Sequence, residues 1–149
     1  MATDAHLRTD LRLQLRQAAL RPVYGNQELL RRIPQGRVTD LATIDGTDNL
    51  AQAVVMRLLT PRGELTALGH PEYGSRLHEL IGQLNVETNL GLIRLYVLES
   101  LAQEPRLESV ESLEVTPAPG TRDRINVFLL VKPVAAPTTP ISFVLEVAP

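Results

Sequence analysis

The chain has 149 residues, 44% of them hydrophobic and 21% charged, and its 15 basic and 17 acidic side chains leave a formal charge of −2. That is enough chain and apolar content for one folded domain with a real core. It excludes disorder along the whole length and any global basic field for holding nucleic acid. Cysteine is absent and aromatics make up only 3%, so disulfides, thiolate zinc sites and cysteine nucleophiles are excluded, and aromatic stacking platforms for bases or sugars lose ground.

Met1 to Asp10 alternates charge and lacks the apolar stretch of a signal peptide. No run of about 18 apolar residues occurs, so no membrane span and a soluble, cytoplasmic product are expected. The first forty residues hold seven of the fourteen arginines against Asp4, Asp10, Glu28 and Asp40. Leu7, Leu11, Leu15 and Ala18 recur at helical spacing, with Arg8, Arg12 and Arg16 on the neighbouring stripe. This predicts an N-terminal helix broken at Pro22 and Gly25, followed by an irregular stretch from Gln27 to Gly36. Residues 1–36 read as an N-terminal helical arm. Its arginine stripe is either a solvated face or a docking site for an acidic partner.

The folded unit is expected over residues 37–149. Leu41 and Ile44 predict a short extended piece before an Asp45-Gly46 turn. Asp48 can cap a helix whose buried stripe is Leu50, Val54 and Leu58, and Thr60-Pro61-Arg62-Gly63 ends it. After a loop through Gly69, Pro71 and Gly74, Ser75 can cap a second, short helix with Leu77, Leu80, Ile81 and Leu84. Asn85 opens a third helix running to about Gln103. Its stripe of Leu90, Ile93, Val97 and Leu101 is widened by Leu92, Leu95, Tyr96 and Leu98, which predicts a central helix packed on more than one side. It stops at Glu104-Pro105.

Beyond Pro105 the period falls to two. Leu113 and Val115 begin a strand, and Thr116-Pro117-Ala118-Pro119-Gly120 turns it. Ile125, Val127, Leu129 and Val131 alternate with Asn126, Phe128, Leu130 and Lys132, so this strand should be an inner one covered on both faces. After a second proline-rich connection, Ile141, Phe143, Leu145 and Val147 predict a final strand. Helices first and strands last indicate an α+β domain, with a helical layer packed on a three-stranded antiparallel sheet.

Catalytic patterns are scarce. His70 and His78 lie eight residues apart without a third ligand at zinc-helix spacing, so they read as surface or structural histidines. No GxSxG elbow occurs, and Gly63, Gly69 and Gly74 fit neither nucleotide-binding fingerprint. Glu64, Glu72 and Glu104 sit at element boundaries, where two carboxyl groups could flank a glycosidic bond if one had a raised pKa. Boundary glutamates are more often caps or ion-pair partners.

Three stretches occur in order and at sensible spacing: LLTPRGE from Leu58 to Glu64, HPEYGSRL from His70 to Leu77, and Glu104-Pro105-Arg106 opening a strand. Together they resemble the baseplate wedge or sheath-initiator family of contractile injection machines. That family includes W-type and gene-25-type phage tail proteins and their counterparts in type VI secretion and phage-tail-like particles. The resemblance spans roughly residues 40–147 and leaves the arm uncovered. It implies a structural protein without cofactor, metal or catalytic residues, present in six copies and assembled from the cytoplasm into a baseplate. It implies that Glu104, Pro105 and Arg106 hold the helical core bundle of the wedge proteins. It further implies that Ile141, Ser142, Phe143, Val144, Leu145, Glu146 and Val147 offer a strand to the first ring of sheath subunits.

From the residues alone, Glu104 and Arg106 can pair with each other or with charges on a partner, and the strand can serve only its own domain. Arg62, Tyr73 and Arg76 are candidate loop contacts, and tube or hub proteins are candidate partners of the arm. Some phage members of the family have been described as lysozyme-like, which keeps a muramidase-type glycosidase using Glu64, Glu72 or Glu104 as the alternative. A nucleic-acid adaptor using the N-terminal arginines is a further rival. Few aromatics and a negative net charge speak against both.

Overall fold

The structure, a computed structural model, describes residues 7–11, 31–32, 40–41, 43–83 and 87–146. It has the α+β arrangement, with two helices and a three-stranded antiparallel sheet. Two short antiparallel ladders come first: β1 (Thr9–Leu11) with β4 (Thr43–Asp45), and β2 (Arg31–Arg32) with β3 (Asp40–Leu41). Helix α1 spans Gly46–Leu59 and α2 spans Glu87–Leu101, separated by 3-10 turns at Thr66–Leu68 and Leu77–Leu80. The strands β5 (Leu107–Pro117), β6 (Arg124–Pro133) and β7 (Thr139–Glu146) form a meander in the order β5-β6-β7.

The core follows from the two periodicities. Leu50, Val54 and Leu58 of α1 and Leu90, Ile93, Val97 and Leu101 of α2 face the inner row of β6, Ile125, Val127, Leu129 and Val131, joined by Val115 and Ile141. All are buried, and each contributes about 1.5–3 kcal/mol of transfer free energy before the entropy of ordering is charged against it.

Several local expectations are corrected. Residues 9–11 form a strand, not part of a helix. Leu7 is fully buried in the core while Leu11 is exposed; the leucine spacing imitates a helix, but pairing with β4 decides. Arg31–Arg32, inside the stretch expected to be irregular, also form a short strand. Asp45, in extended conformation, occupies the position before α1, so Asp48 lies in the first turn, where its charge favours the helix dipole without capping. The second helix is one 3-10 turn. The outer side of α2 is open, with Leu95 57% and Leu98 44% exposed, and the second face of β6 is open at Phe128. Among the described residues one helical layer covers one face of the sheet, so neither element is enclosed all round. The remainder of the expected arm, Leu84, the Asn85 cap and Val147 lie outside the described residues.

The loop between α1 and the Leu77 turn is stitched to both helices. Thr60 is extended, as the residue before Pro61 must be. Ser75 N–H donates to Thr60 O at 2.8 Å and Arg62 N–H to Ser75 O at 2.9 Å. Ser75 Oγ donates to Leu58 O at 2.6 Å, and Ser100 Oγ of α2 donates to Gly74 O at 2.8 Å. Gly74 makes this approach feasible: its φ is +106°, and a Cβ there would sit 2.4 Å from Thr60 O.

Candidate functional site

The corner between α2 and β5 is closed by backbone bonds on both sides of Pro105. Glu104 N–H donates to Leu101 O at 3.0 Å, and Leu107 N–H donates to Glu104 O at 3.1 Å. This turns Glu104 inward, where it is 5% exposed, and leaves Pro105 exposed and Arg106 half-buried. Arg106 grips the carboxylate as a fork, Nε to Oε1 at 2.7 Å and Nη2 to Oε2 at 3.2 Å, and its backbone N–H reaches Oε1 at 3.3 Å. From α1, Arg57 Nη2 donates to the same Oε2 at 3.3 Å. The guanidinium carbon of Arg57 lies 4.5 Å from the ring centre of Tyr73.

Burial pushes the Glu104 carboxyl up, but the hydrogen bonds and charge of Arg106, with the charge of Arg57, outweigh it. The net result is a pKa below the ordinary carboxylate range. Glu104 conversely raises Arg106, chiefly through their side-chain hydrogen bond. Tyr73 is raised, first by burial. The corner is therefore an ionised pair with a second guanidinium beneath it.

An open concavity of about 750 Å³ adjoins the corner, with Arg57, Tyr73, Glu104 and Arg106 on one side and Arg8 and Asp10 on the other. Residues 7–11 are fastened there by two amides of α1. Asn49 Nδ2 donates to Leu7 O at 2.9 Å and to Arg8 O at 3.2 Å, and Gln52 Nε2 donates to Leu11 O at 2.9 Å. Asn49 and Gln52 are both buried.

The sheet has two unlike edges. Among the described residues β7 pairs only with β6, in unbroken register from Arg124↔Glu146 to Val131↔Thr139. β5, at the other edge, is interrupted twice, between Leu107 and Ser109 and between Val110 and Ser112. Arg94 Nη2 of α2 also donates to Val115 O of β5 at 3.2 Å. Bulges and a covering side chain make an edge a poor template for another strand. The strand of Ile141 to Glu146 is the regular edge, with Ile141 buried in the core.

The other sequence candidates divide. Tyr73 joins the corner through Arg57. Arg62 and Arg76 engage α2 instead: Arg62 Nη1 donates to Glu99 Oε1 at 2.6 Å, while Arg76 forks onto Glu79 and lies 4.5 Å from the Tyr96 ring centre. Glu64 and Glu72 are exposed and have no place in the ion-pair cluster at Glu104. His70 lines the concavity, and His78 Nδ1 lies 3.2 Å from Ser75 O. Among the described residues no group of three His, Cys, Asp or Glu could hold a metal, and no helix is long and apolar enough to cross a membrane.

Sequence reasoning missed Arg57, Asn49 and Gln52. The available signal was position: Arg57 lies seven residues after Leu50 and three after Val54, within the buried stripe of α1. A charge in such a stripe needs a buried partner.

No protein-family model and no curated protein sequence matches the chain. A crystal structure of a Geobacter sulfurreducens protein, provisionally named a tail lysozyme, matches with a TM-score of 0.58. The two are 21% identical over 68% of this chain and 90% of that one. What they share is the fold.

Proposed function

We propose that this chain is a structural component of the baseplate of a contractile injection machine. It joins wedge proteins at the Glu104–Pro105–Arg106 corner and nucleates the sheath by strand addition at β7. The asymmetry of the sheet edges carries this reading: β5 is bulged and capped by Arg94, whereas β7 keeps a regular ladder whose outer side no described residue pairs. An added strand takes its affinity from main-chain hydrogen bonds and its register from the template. The fold shared with a tail protein supports the same setting.

The name of that structural neighbour also raises the muramidase reading. A glycosidase acid must hold its proton near neutral pH, which needs a raised pKa. Glu104 is instead held ionised by Arg106 and Arg57, which suits an ion-paired corner and not the acid of a glycosidase.

The test is a proline scan of Ser142 to Glu146, with affinity purification from the native host. Positions that keep cooperative melting have their N–H directed to the free edge. These variants lose sheath subunits and keep wedge proteins, whereas Arg106→Ala does the reverse. Sheath recovery unaffected by every folded proline variant would overturn strand addition.

A further inference from the structure

We infer that the concavity between residues 8–10 and the Glu104–Arg106 corner seats a carboxylate side chain of an acidic protein segment, with Arg8 and Arg57 as its ligands. The inference rests on the corner being a docking surface, and it names the chemistry that docks there. It also gives the N-terminal segment, which lies outside the family resemblance, a place in that surface.

Among the described residues that line it, the charges facing the concavity do not cancel. Arg8, Arg57 and Arg106 stand against Asp10 and Glu104, three cations to two anions, before His70 is considered. Glu104 is already committed to Arg106 and Arg57, and Asp10 Oδ1 accepts the Leu11 N–H at 2.7 Å. The Arg57 Nε is buried without a hydrogen-bond partner among the described residues, on a residue only 8% exposed. Arg8 is exposed, and no described residue pairs with its guanidinium. Both guanidiniums line the concavity, the Arg57 side chain 10% exposed, so a carboxylate seated there meets two cations.

The wall that carries Arg8 is also built with care. Its backbone has φ of +62°, a left-handed conformation uncommon for a residue with a Cβ. The buried amide of Asn49 holds it there by bonding the carbonyls of Leu7 and Arg8 together. Strain kept in place by a buried clamp points to a position the fold defends. The surplus is a single charge, and Tyr73 is already occupied under Arg57. One carboxylate matches that; a polyphosphate strand, repelled by the net charge of −2, does not.

The test uses the full-length chain and follows arginine side-chain Nε–H signals by NMR. The probes are the capped peptides Ala-Glu-Ala and Ala-Gln-Ala, inorganic phosphate and a single-stranded DNA oligonucleotide. The Glu peptide should shift the Arg57 and Arg8 signals saturably, leaving exposed Arg122 still, while the Gln peptide does nothing. Arg8→Ala should weaken that binding about fivefold with the melting temperature unchanged. Equal shifts with the Gln peptide, shifts spread over all arginines, or tighter binding of phosphate or DNA would overturn the carboxylate seat. The two claims separate cleanly. Wedge capture that depends on Arg106 without any response to the Glu peptide sinks this inference alone. Glu-peptide binding in a chain that captures no baseplate protein sinks the baseplate reading and leaves the seat.

Discussion

Arg57 of the first helix and Glu104 beyond the second are hydrogen-bonded at 3.3 Å, although 47 positions separate them in the chain. The pair ties the helical layer to the corner where the sheet begins. Arg57 is also placed over Tyr73, so one guanidinium links α1, the loop and the corner. The direction in which Pro105 and Arg106 are presented thus depends on contacts below the surface.

Replacing Glu104 by Gln should cost about 3 kcal/mol, because Arg57 keeps its buried charge without a counter-charge. For a chain of this length that is a fall of about 9 °C in melting temperature. Arg57→Met should cost less, about 1 kcal/mol, since Glu104 retains Arg106 and the new side chain fills the stem's space. Thermal unfolding of the two variants checks the order.

Acid should weaken the fold through Glu104. Its folded pKa lies below the ordinary carboxylate value, so its contribution is complete above the unfolded pKa and is lost as pH falls through the folded one. Stability measured across the acid range should therefore show a loss that Glu104→Gln lacks. An identical acid profile in the variant contradicts the assignment.

Gly74→Ala should be among the most damaging single changes. The new methyl would need to displace Thr60 O from 2.4 Å at a backbone angle of +106°. Losing that approach also loosens the Ser75 and Ser100 bonds. A cost of about 4 kcal/mol is expected, read from denaturant midpoints. Gly69→Ala, where nothing lies within 4 Å of the added atom, should cost less.

Asn49→Ala should free the N-terminal segment before it affects the core. The change removes both donors to the Leu7 and Arg8 carbonyls, worth about 2 kcal/mol at a buried site. Trypsin should then cut after Arg8 faster while the domain still melts cooperatively. An unchanged cleavage rate would show that Asn49 does not clamp the segment.

Both helices and all three long strands are legible in the sequence because their apolar periods are local, as Leu50-Val54-Leu58 and Ile125-Val127-Leu129 show. Pro61 and Pro105 mark ends for steric reasons that need no partner. What escapes is decided at a distance. Leu7 and Leu11 have helical spacing, yet one fills the core and the other faces out, because β1 pairs with residues more than thirty positions on. Leu95 and Leu98 look like core from composition, but whether a second layer covers them is not written in their own helix. Glu104 and Arg106 are visible as a motif, whereas the Arg57 beneath them is seen only once α1 is folded against the corner.

The most direct measurement removes this chain from its native host and counts sheathed particles by electron microscopy. The account predicts baseplates and bare tubes without sheath, rescued by the intact chain and by Arg122→Ala, but not by a folded proline variant of β7. Full-length sheaths in the deletion strain would contradict it.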